Sequence, residues 1–479
     1  MGQFMGRPSA NTFSVELAPE LWLMIFDHLP PRFLHYVTLT CHSFRHLAQP
    51  LLFRSLTFCP YSLDMNNRRF IPRLETIEHT KQRIQFCSSS RIAHAVRECK
   101  LYPRYIVGAV HSDIASDVLL DILLDALPHF VNLRSLFLMF VDLSQSQVLK
   151  LCASRNIGNL FLGNCAVEHI KSPPPSKLQV ADLTIVCDNQ SRVMESGHGL
   201  SVFSPDHLRS VSIVNPTVAS YFLDNFLGNA PHGLLQLRSL TLPCEAEVVH
   251  AFSRLLPLVP ELVDLKFCHL RPSTTQPHMP KEFTLTTFCP PVKPLSKYQG
   301  PRQLLPYFVR PGALEHLSLW SAFPVISDGS MDPVELHGAL VGGNELVSVC
   351  NKEVLRTVQK LELNVTHVNA LVLDAVCARF PVLQSLYVHV GSSYMQAWNI
   401  EMILDALLTL PLPSTIQRLR LSAHCVTTPL ARPAIDYTED RLARRKRDLQ
   451  VKYPNLSFIS LDEMDVNLTW DGSRKQIQT

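Results

Sequence analysis

The side chains that most often carry catalysis are scattered along this chain and do not form the spacings that known reactions need. The sequence has 479 residues, with 20 histidines and 13 cysteines. It contains no C-x-x-C pair, no H-E-x-x-H, no G-x-S-x-G and no P-loop. We therefore predict no catalytic residue, no metal site and no cofactor, so the chemistry to look for is binding. An unrecognised hydrolase is an alternative from another class, and its activity would have to survive deletion of residues 1–60.

Composition and charge limit the classes of partner that we expect this chain to bind. Hydrophobic residues make up 46% of the chain and charged residues 18%, which provides enough apolar surface for an extended core. The 44 basic residues nearly balance the 41 acidic ones, so nothing favours nucleic acid as a partner. No apolar run approaches the roughly 20 residues of a membrane helix, and the first ten residues lack a signal-peptide layout. The scattered cysteines suit reduced thiols, and we expect an intracellular protein of the cytoplasm or nucleus.

The strongest binding signal lies in the first sixty residues, where three short helices are predicted. Pro19 suits the first position of a helix, and the pair Pro30-Pro31 ends it. Within this helix Leu21, Ile25 and Leu29 form one apolar stripe, and Trp22 with Phe26 forms a second, rotated by about 100°. Leu23 and Met24 lie between the two stripes. A helix that is apolar on almost every side must be buried on more than one side, and two short companion helices cover only one.

Residues 15–58 resemble the F-box motif, and the tail after Leu47 is similar to that of fungal F-box proteins. The family pattern of Leu-Pro-x-Glu-Leu, Ile-Phe-x-x-Leu-Pro, further apolar positions and a Val-Cys-like pair falls on Leu17, Pro19, Glu20, Leu21, Ile25, Phe26, Leu29, Pro30, Leu34, Val37, Leu39, Cys41 and Phe44. Three positions depart from it: Ala18 replaces a frequent second proline, Thr40 the usual Val, and Phe44 the common Trp.

The resemblance implies that these residues, together with Trp22, bind Skp1 and through it a cullin and a RING subunit. The chain would then be the substrate-recognition adaptor of an SCF ubiquitin ligase, a non-catalytic subunit whose repeats bind a target protein. The alternative is an interaction scaffold in which the three helices only cap the repeats, because the terminal repeats of such arrays need covering.

The remainder of the chain repeats the pattern apolar-x-x-apolar-x-apolar, the strand core of a leucine-rich repeat. The clear matches are Leu133/Leu136/Leu138, Ile157/Leu160/Leu162, Val180/Leu183/Ile185, Leu208/Val211/Ile213, Leu237/Leu240/Leu242, Leu262/Leu265/Phe267, Leu314/Leu317/Leu319, Val358/Leu361/Leu363, Leu383/Leu386/Val388, Ile416/Leu419/Leu421 and Leu456/Ile459/Leu461. Two weaker matches are Phe53/Leu56/Phe58 and Val96/Cys99/Leu101.

The spacing of these triplets predicts a repeat fold. From Leu133 to Leu262 they start 24, 23, 28, 29 and 25 residues apart, and the next gap is 52, so one repeat is hidden or replaced by an insertion. Helical stretches are predicted between them at 117–127, 218–227, 245–256, 369–379, 400–410 and 439–450. Alternating strands and helices require parallel strands. We therefore predict an α/β fold: a small all-α F-box, then a leucine-rich-repeat-like solenoid with a parallel sheet on the concave face and helices outside.

The predicted organisation has four parts and one insertion. Residues 1–14 form a flexible N-terminus, 15–58 the F-box, 59–470 the repeat domain and 471–479 a tail. Nine prolines mark residues 271–312 as an insertion, which is either a target contact or a disordered loop. The basic cluster Arg441, Arg444, Arg445, Lys446 and Arg447 is interpreted as the solvated side of a repeat helix, with a nuclear-import signal or a phosphate-binding face as the alternatives.

Overall fold

The structure is a computed structural model of the full chain. It describes residues 17–59, 61–63, 69–70, 74–105, 118–154, 156–168, 176–187, 198–227, 232–268, 290–310, 312–320, 355–365, 376, 378–392, 407–409, 412–425, 439–463 and 466–471. The chain divides into two compact units, Met1–Phe161 and Leu162–Thr479. The predicted flexible N-terminus and C-terminal tail fall almost entirely outside the described residues, and the predicted F-box boundary at residue 58 stays a prediction.

The first unit begins with three helices and continues into strands. The helices are α1 (Pro19–Asp27), α2 (Pro31–Thr40) and α3 (His42–Leu52), as predicted for the first sixty residues. The later elements are β1 (Ser55–Phe58), β2 (Ser62–Leu63), β3 (Arg69–Phe70), α4 (Leu74–Cys87), α5 (Ser90–Ala93), β4 (Glu98–Leu101), β5 (Arg104–Tyr105), α6 (Val118–Ala126), β6 (Ser135–Met139), β7 (Asp142–Leu143) and α7 (Gln145–Cys152). Strand β8 (Asn159–Gly163) includes the boundary between Phe161 and Leu162. Strands β1, β4 and β6 lie side by side and parallel, while β2, β3 and β5 form a small separate sheet.

The second unit is a long array of strands with helices between them. Its elements are β9 (Ala166–Val167), β10 (Asp182–Val186), β11 (Ser210–Ile213), α8 (Pro216–Tyr221), β12 (Ser239–Pro243), α9 (Ala246–Leu255), β13 (Asp264–Cys268), β14 (Lys297–Pro301), α10 (Leu305–Phe308), β15 (His316–Trp320), β16 (Lys360–Val365), β17 (Ser385–Ser392), β18 (Arg418–Cys425), α11 (Glu439–Lys452), β19 (Phe458–Glu463) and β20 (Val466–Asp471). From β10 to β19 each strand pairs in parallel with the next.

The register explains why the triplet pattern repeats. In the second unit the middle residue of a triplet lies directly beside a core residue of the neighbouring strand, as for Leu240 beside Leu265 and Leu361 beside Leu386. Successive side chains of a strand point to opposite faces, so the triplets place one apolar row on one face. These leucines are almost completely buried. All thirteen triplets coincide with strands, and the predicted α/β fold with a long parallel sheet is confirmed.

Helix side chains close the apolar side of the sheet. The ring of Phe267 in β13 lies 5.5 Å from that of Phe308 in α10, which stacks at 5.8 Å on Phe252 in α9. All three residues are buried. The helices predicted at 117–127 and 439–450 are confirmed as α6 and α11, and the one at 245–256 as α9. The helix predicted at 218–227 continues from α8 as a π-helical turn, Phe222–Leu227. The helices at 369–379 and 400–410 lie mostly outside the described residues.

The 52-residue gap hides a repeat. Strand β14, inside the predicted 271–312 insertion, pairs with β13 on one side and β15 on the other. Its core residues are Leu295 and Tyr298, but Gly300 occupies the third apolar position. A Cβ there would lie only 2.8 Å from the hydroxyl of Tyr298 and 2.9 Å from the ring of Phe267. The large tyrosine ring thus fills the space beside Gly300, and the glycine at the third position interrupts the triplet pattern.

The end of the array departs from the parallel pattern. Strand β20 follows β19 directly and pairs with it antiparallel, with Phe458 beside Asp471. The triplet pattern does not predict β20.

The basic cluster at 441–447 lies on α11, where Arg444 and Arg447 are exposed and Leu449 is buried, as expected for the solvated side of a repeat helix.

Candidate protein-docking surface

The three N-terminal helices pack around a small core of their own. Phe26, Leu34 and Ala48 contribute one buried residue from each helix. Around them pack the partly buried side chains Trp22, Leu29, Val37, Phe44, Leu47, Leu51 and Leu52. The rings of Trp22, Phe26 and Phe44 lie 4.7–5.7 Å apart at their centroids, within the range of favourable aromatic pairs. We call this group of helices, α1 to α3, the helical trio.

Local chemistry fixes the turns of the trio. Pro30 and Pro31 separate α1 from α2, since neither can donate a backbone N–H to a continuing helix. Between α2 and α3, Sγ of Cys41 accepts a weak hydrogen bond from the backbone N–H of Phe44 at 3.4 Å. Nε of Arg45 donates to the carbonyl of Thr38 at 3.1 Å and ties α3 to the end of α2. Cys41, one of the residues that resemble the F-box motif, is therefore the N-cap of α3.

Other positions of α1 and α2 expose large apolar side chains to solvent. Met24, Tyr36 and Leu39 are 64%, 66% and 61% exposed. We define the apolar docking face as the exposed large hydrophobic residues of α1 and α2, namely Leu21, Leu23, Met24, Ile25, Phe33, Tyr36 and Leu39. These seven side chains lie between residues 21 and 39, and exposed large apolar side chains in such number often mark a site of protein interaction.

The structure divides the fourteen predicted Skp1-binding residues into three groups. Phe26 and Leu34 are buried in the trio, and Leu17, Trp22, Leu29, Val37 and Phe44 are partly buried. Exposed are Pro19, Glu20, Leu21, Ile25, Pro30, Leu39 and Cys41. The two apolar stripes of α1 thus have different roles, because Trp22 and Phe26 face the trio while Leu21 and Ile25 face outward.

Sequence reasoning missed four members of the docking face. Leu23 and Met24 were noted only as filling the gap between stripes, and Phe33 and Tyr36 were not assigned to a binding site. The helical period of α2 could have identified Phe33 and Tyr36. If Leu34 and Val37 face inward at a spacing of three, then Phe33 and Tyr36 share the adjacent strip of α2, turned by about 100°.

Two charged contacts are described in and beside the trio. Nη1 of Arg54 lies 3.2 Å from Oδ1 of Asp27, and both side chains are at least half exposed, so the pair contributes less than about 1 kcal/mol. The guanidinium of Arg32 lies 4.8 Å from the centre of the Phe33 ring, which belongs to the docking face.

An open groove separates part of the trio from the strands that follow it. Its volume is about 500 Å³. The trio side is apolar and includes Leu29 and Leu52, whereas the strand side carries Arg54, Arg97 and Arg134. These arginines immediately precede β1, β4 and β6. The trio therefore does not close its apolar surface over the first strands along this groove.

Four of the described thiols are held in their protonated form. Burial raises the pKa of the Cys99 thiol to about 12 and that of Cys268 to about 11, and it also raises the pKa of Cys87 and Cys244. Such thiols stay protonated and are poor nucleophiles near neutral pH. In the described parts of the chain, no group of three or more His, Cys, Asp or Glu side chains could hold a metal ion. No helix there combines the length and apolar character needed to cross a membrane.

Comparisons with known proteins leave the family open. No family model and no curated protein matches the chain. Among solved structures it is similar to the TLR13–ssRNA13 complex at 11% identity and a TM-score of 0.29, a match that covers 70% of this chain and 54% of that one. It is also similar to an internalin, InlF, of Listeria monocytogenes at 13% identity and a TM-score of 0.27, covering 91% and 95%. With TM-scores this low, the fold assignment rests on the strand register and the F-box resemblance on residues 15–58.

Proposed function

We propose that this chain is a substrate-recognition adaptor of an SCF ubiquitin ligase, in which the helical trio binds Skp1 and the strand array binds a target protein. The observation that carries the proposal is the apolar docking face. It lies on a segment whose residues resemble the F-box motif, and it is formed by side chains that the trio does not need for its own core. The adaptor performs no chemistry and acts by holding a target lysine at high effective concentration near a charged E2.

The separation of core and face supports docking. Phe26, Leu34 and Ala48 are buried without help from Leu21, Met24 or Ile25, so a partner can cover the second group and leave the trio's own core in place. A stable interface of standard size buries roughly 1,200–2,000 Å² in total, with a few apolar or aromatic residues near its centre carrying most of the binding energy. Phe33, Tyr36 and Leu39 on α2 are suited to that central role.

The alternative function is an interaction scaffold whose helices only cap the repeats. A cap should turn its apolar residues toward the strands that it covers. Here the large exposed apolar residues of α1 and α2 remain in solvent, and an open groove of about 500 Å³ lies between the trio and the starts of β1, β4 and β6. Both observations favour docking over capping.

Capture of Skp1 tests the proposal. The full-length chain is co-expressed with Skp1 and purified through a tag on the chain. Co-purification is expected for the unchanged protein and should be lost in the double variant Leu21→Glu/Ile25→Glu, because charged groups cannot enter an apolar interface without partners.

A matched control separates loss of binding from loss of folding. Leu235→Glu/Val451→Glu also places two glutamates at exposed apolar positions, but in the second unit, and should still capture Skp1. Circular dichroism and thermal unfolding should be alike for both double variants. If the unchanged chain does not retain Skp1, the adaptor function is wrong. If Leu21→Glu/Ile25→Glu unfolds the whole chain, the capping function gains.

A further inference from the structure

The face of the sheet opposite the buried leucines carries two rows of polar side chains on strands β13 to β18. Residues beside one another in the register form each row. The first row is Asp264, Lys297, His316, Lys360, Ser385 and Arg418; the second is Lys266, Gln299, Ser318, Glu362, Tyr387 and Arg420. Five Lys or Arg side chains and one His thus share this surface with two acidic residues. We call it the cationic sheet face.

The centre of the cationic sheet face is largely neutralised. Oε1 of Glu362 lies 2.6 Å from Nζ of Lys360 and 3.4 Å from Nε2 of His316. The ammonium of Lys360 also lies 5.0 Å from the centre of the Tyr387 ring. Glu362 therefore places its carboxylate in the middle of the face, with the ammonium of Lys360 and the imidazole of His316 turned toward it.

The flanks of the face hold further cations. Lys266 and Lys297 lie on β13 and β14, and Arg418 and Arg420 lie on β18. No ion pair joins Lys266, Lys297 or Arg418 to another residue among those that the structure describes. Lys297, Arg418 and Arg420 are exposed. Neighbouring strands are about 4.8 Å apart, so the two cationic flanks on β14 and β18 are separated by roughly 19 Å.

The preceding strands show that this charge is not a general property of the array. The equivalent positions of β10, β11 and β12 hold Asp182, Thr184, Ser210, Ser212, Ser239 and Thr241. Five of these six are hydroxyl residues and one is acidic. The cationic character therefore begins at β13 and belongs to one part of the second unit.

From this arrangement we propose that the cationic sheet face binds an extended acidic segment of the target protein, with carboxylates against the two flanks and an uncharged stretch across Glu362. The inference extends the proposed function, and it depends on that function only in calling the bound protein a target. An extended chain rises about 3.3 Å per residue, so flanks roughly 19 Å apart correspond to acidic groups about six residues apart. Charge complementarity of this kind sets specificity and speeds association.

Nucleic acid fits the face less well. Its backbone carries evenly spaced negative charges, and a strand that reaches both flanks would place phosphates over the neutralised centre, where the Lys360 ammonium is already paired with Glu362. Binding of bases also relies on stacking platforms, and Tyr387 is the one aromatic residue among the twelve described positions of the face. A segment with acidic ends and a neutral centre avoids both problems.

Peptide binding to the full-length chain tests the inference. The probe is a fluorescein-labelled peptide with two Glu pairs about six residues apart, joined by Ser and Gly, and binding is read by fluorescence anisotropy. A peptide of the same composition with the four Glu residues together in the centre, and a single-stranded oligonucleotide of similar length, serve as competitors. The spaced peptide should bind most tightly, and added salt should weaken its binding because the contacts are ionic.

Charge reversal locates the site. Lys297→Glu/Arg418→Glu should weaken peptide binding by at least about tenfold, since each flank loses an attraction and gains a repulsion. Arg254→Glu/Arg447→Glu makes the same change of net charge at exposed helix positions and should leave peptide binding unaltered. The conservative pair Lys297→Arg/Arg418→Lys should keep it, which guards against a misfolded reversal variant.

Three results would overturn the inference: no binding of the spaced peptide, equal weakening by both reversals, or tighter binding of the oligonucleotide. Skp1 capture is measured on the same proteins. Capture without peptide binding would contradict this inference and leave the adaptor function standing, whereas peptide binding without capture would contradict the adaptor function alone.

Discussion

The helical trio and the strand array divide their apolar residues in opposite ways. In the array, the described leucines of the apolar row are buried, and the opposite face of strands β13 to β18 is polar and partly cationic. In the trio, a small core is complete, and the face left to solvent is apolar. This difference is the basis of the two proposals, in which the trio docks on an apolar partner surface and the array binds a charged segment.

The difference has a physical origin in size and pairing. The trio's helices have 9, 10 and 11 residues, and a bundle that small has little interior. Residues beyond those needed for the trio's core must face outward. In the array each new strand extends an existing sheet, so its apolar side chains join a continuous core that grows with every repeat.

Truncating a buried strand leucine should have the largest effect on stability. Leu361→Ala leaves a cavity in the middle of the apolar row of β16, and we expect the free energy of unfolding to fall by about 2–5 kcal/mol. Urea unfolding followed by circular dichroism measures the loss. A change below about 0.5 kcal/mol would show that the row is not close-packed. The contrast between the buried leucines of the array and the exposed apolar residues of the trio would then fail.

Adding a methyl group at Gly300 should destabilise the array less, by about 1–3 kcal/mol. Gly300→Ala would force the new Cβ against the Tyr298 hydroxyl and the Phe267 ring. The same measurement on Gly158→Ala is the control, because a Cβ there would meet its nearest atom, the carbonyl oxygen of Arg134, at an ordinary 3.6 Å. Equal effects of the two substitutions would contradict the account of how β14 replaces an apolar triplet.

Glu362 on the polar face should make a pH-dependent contribution to the free energy of unfolding on the order of 1 kcal/mol, after allowing for screening by water. His316 and Lys360 beside Glu362 lower the pKa of its carboxyl to about 2. Because this pKa lies below the usual value of about 4.3 for an unfolded chain, the contribution is complete above that pH and is lost as the pH falls towards 2. Glu362→Gln should therefore flatten the decline of unfolding free energy over this acidic range.

Glu245 provides a control of opposite sign. Burial, together with the nearby Glu247, raises the pKa of the Glu245 carboxyl, so the folded state favours its protonated form. Glu245→Gln should then slightly increase the free energy of unfolding at neutral pH. If both substitutions shifted stability in the same direction at neutral pH, the assigned environments of the two carboxyls would be wrong.

The smallest effect on stability is expected on the docking face. Met24→Ser removes an exposed apolar side chain, and the free energy of unfolding should change by less than about 0.5 kcal/mol. Skp1 capture by the same variant should nevertheless weaken. A loss of stability comparable to that of Leu361→Ala would mean that Met24 belongs to the core of the trio, and the contrast between the two regions would fail.

The sequence by itself determined the elements whose signal is local. The triplets located the strands because alternation and spacing are properties of neighbouring residues, and Pro30 with Pro31 separated the first two helices for the same reason. The pattern failed where the local signal was altered. Gly300 hid β14, and β20 has no triplet and pairs antiparallel with β19.

Only the tertiary structure decided which surfaces stay open. The stripes of α1 are equally apolar in sequence, and packing against α3 separated the inward Trp22 from the outward Leu21. The cationic sheet face joins Lys266 to Arg420, which are far apart along the chain. Register between distant strands brings them together, and that register is set by the burial of the apolar row on the other side of the sheet.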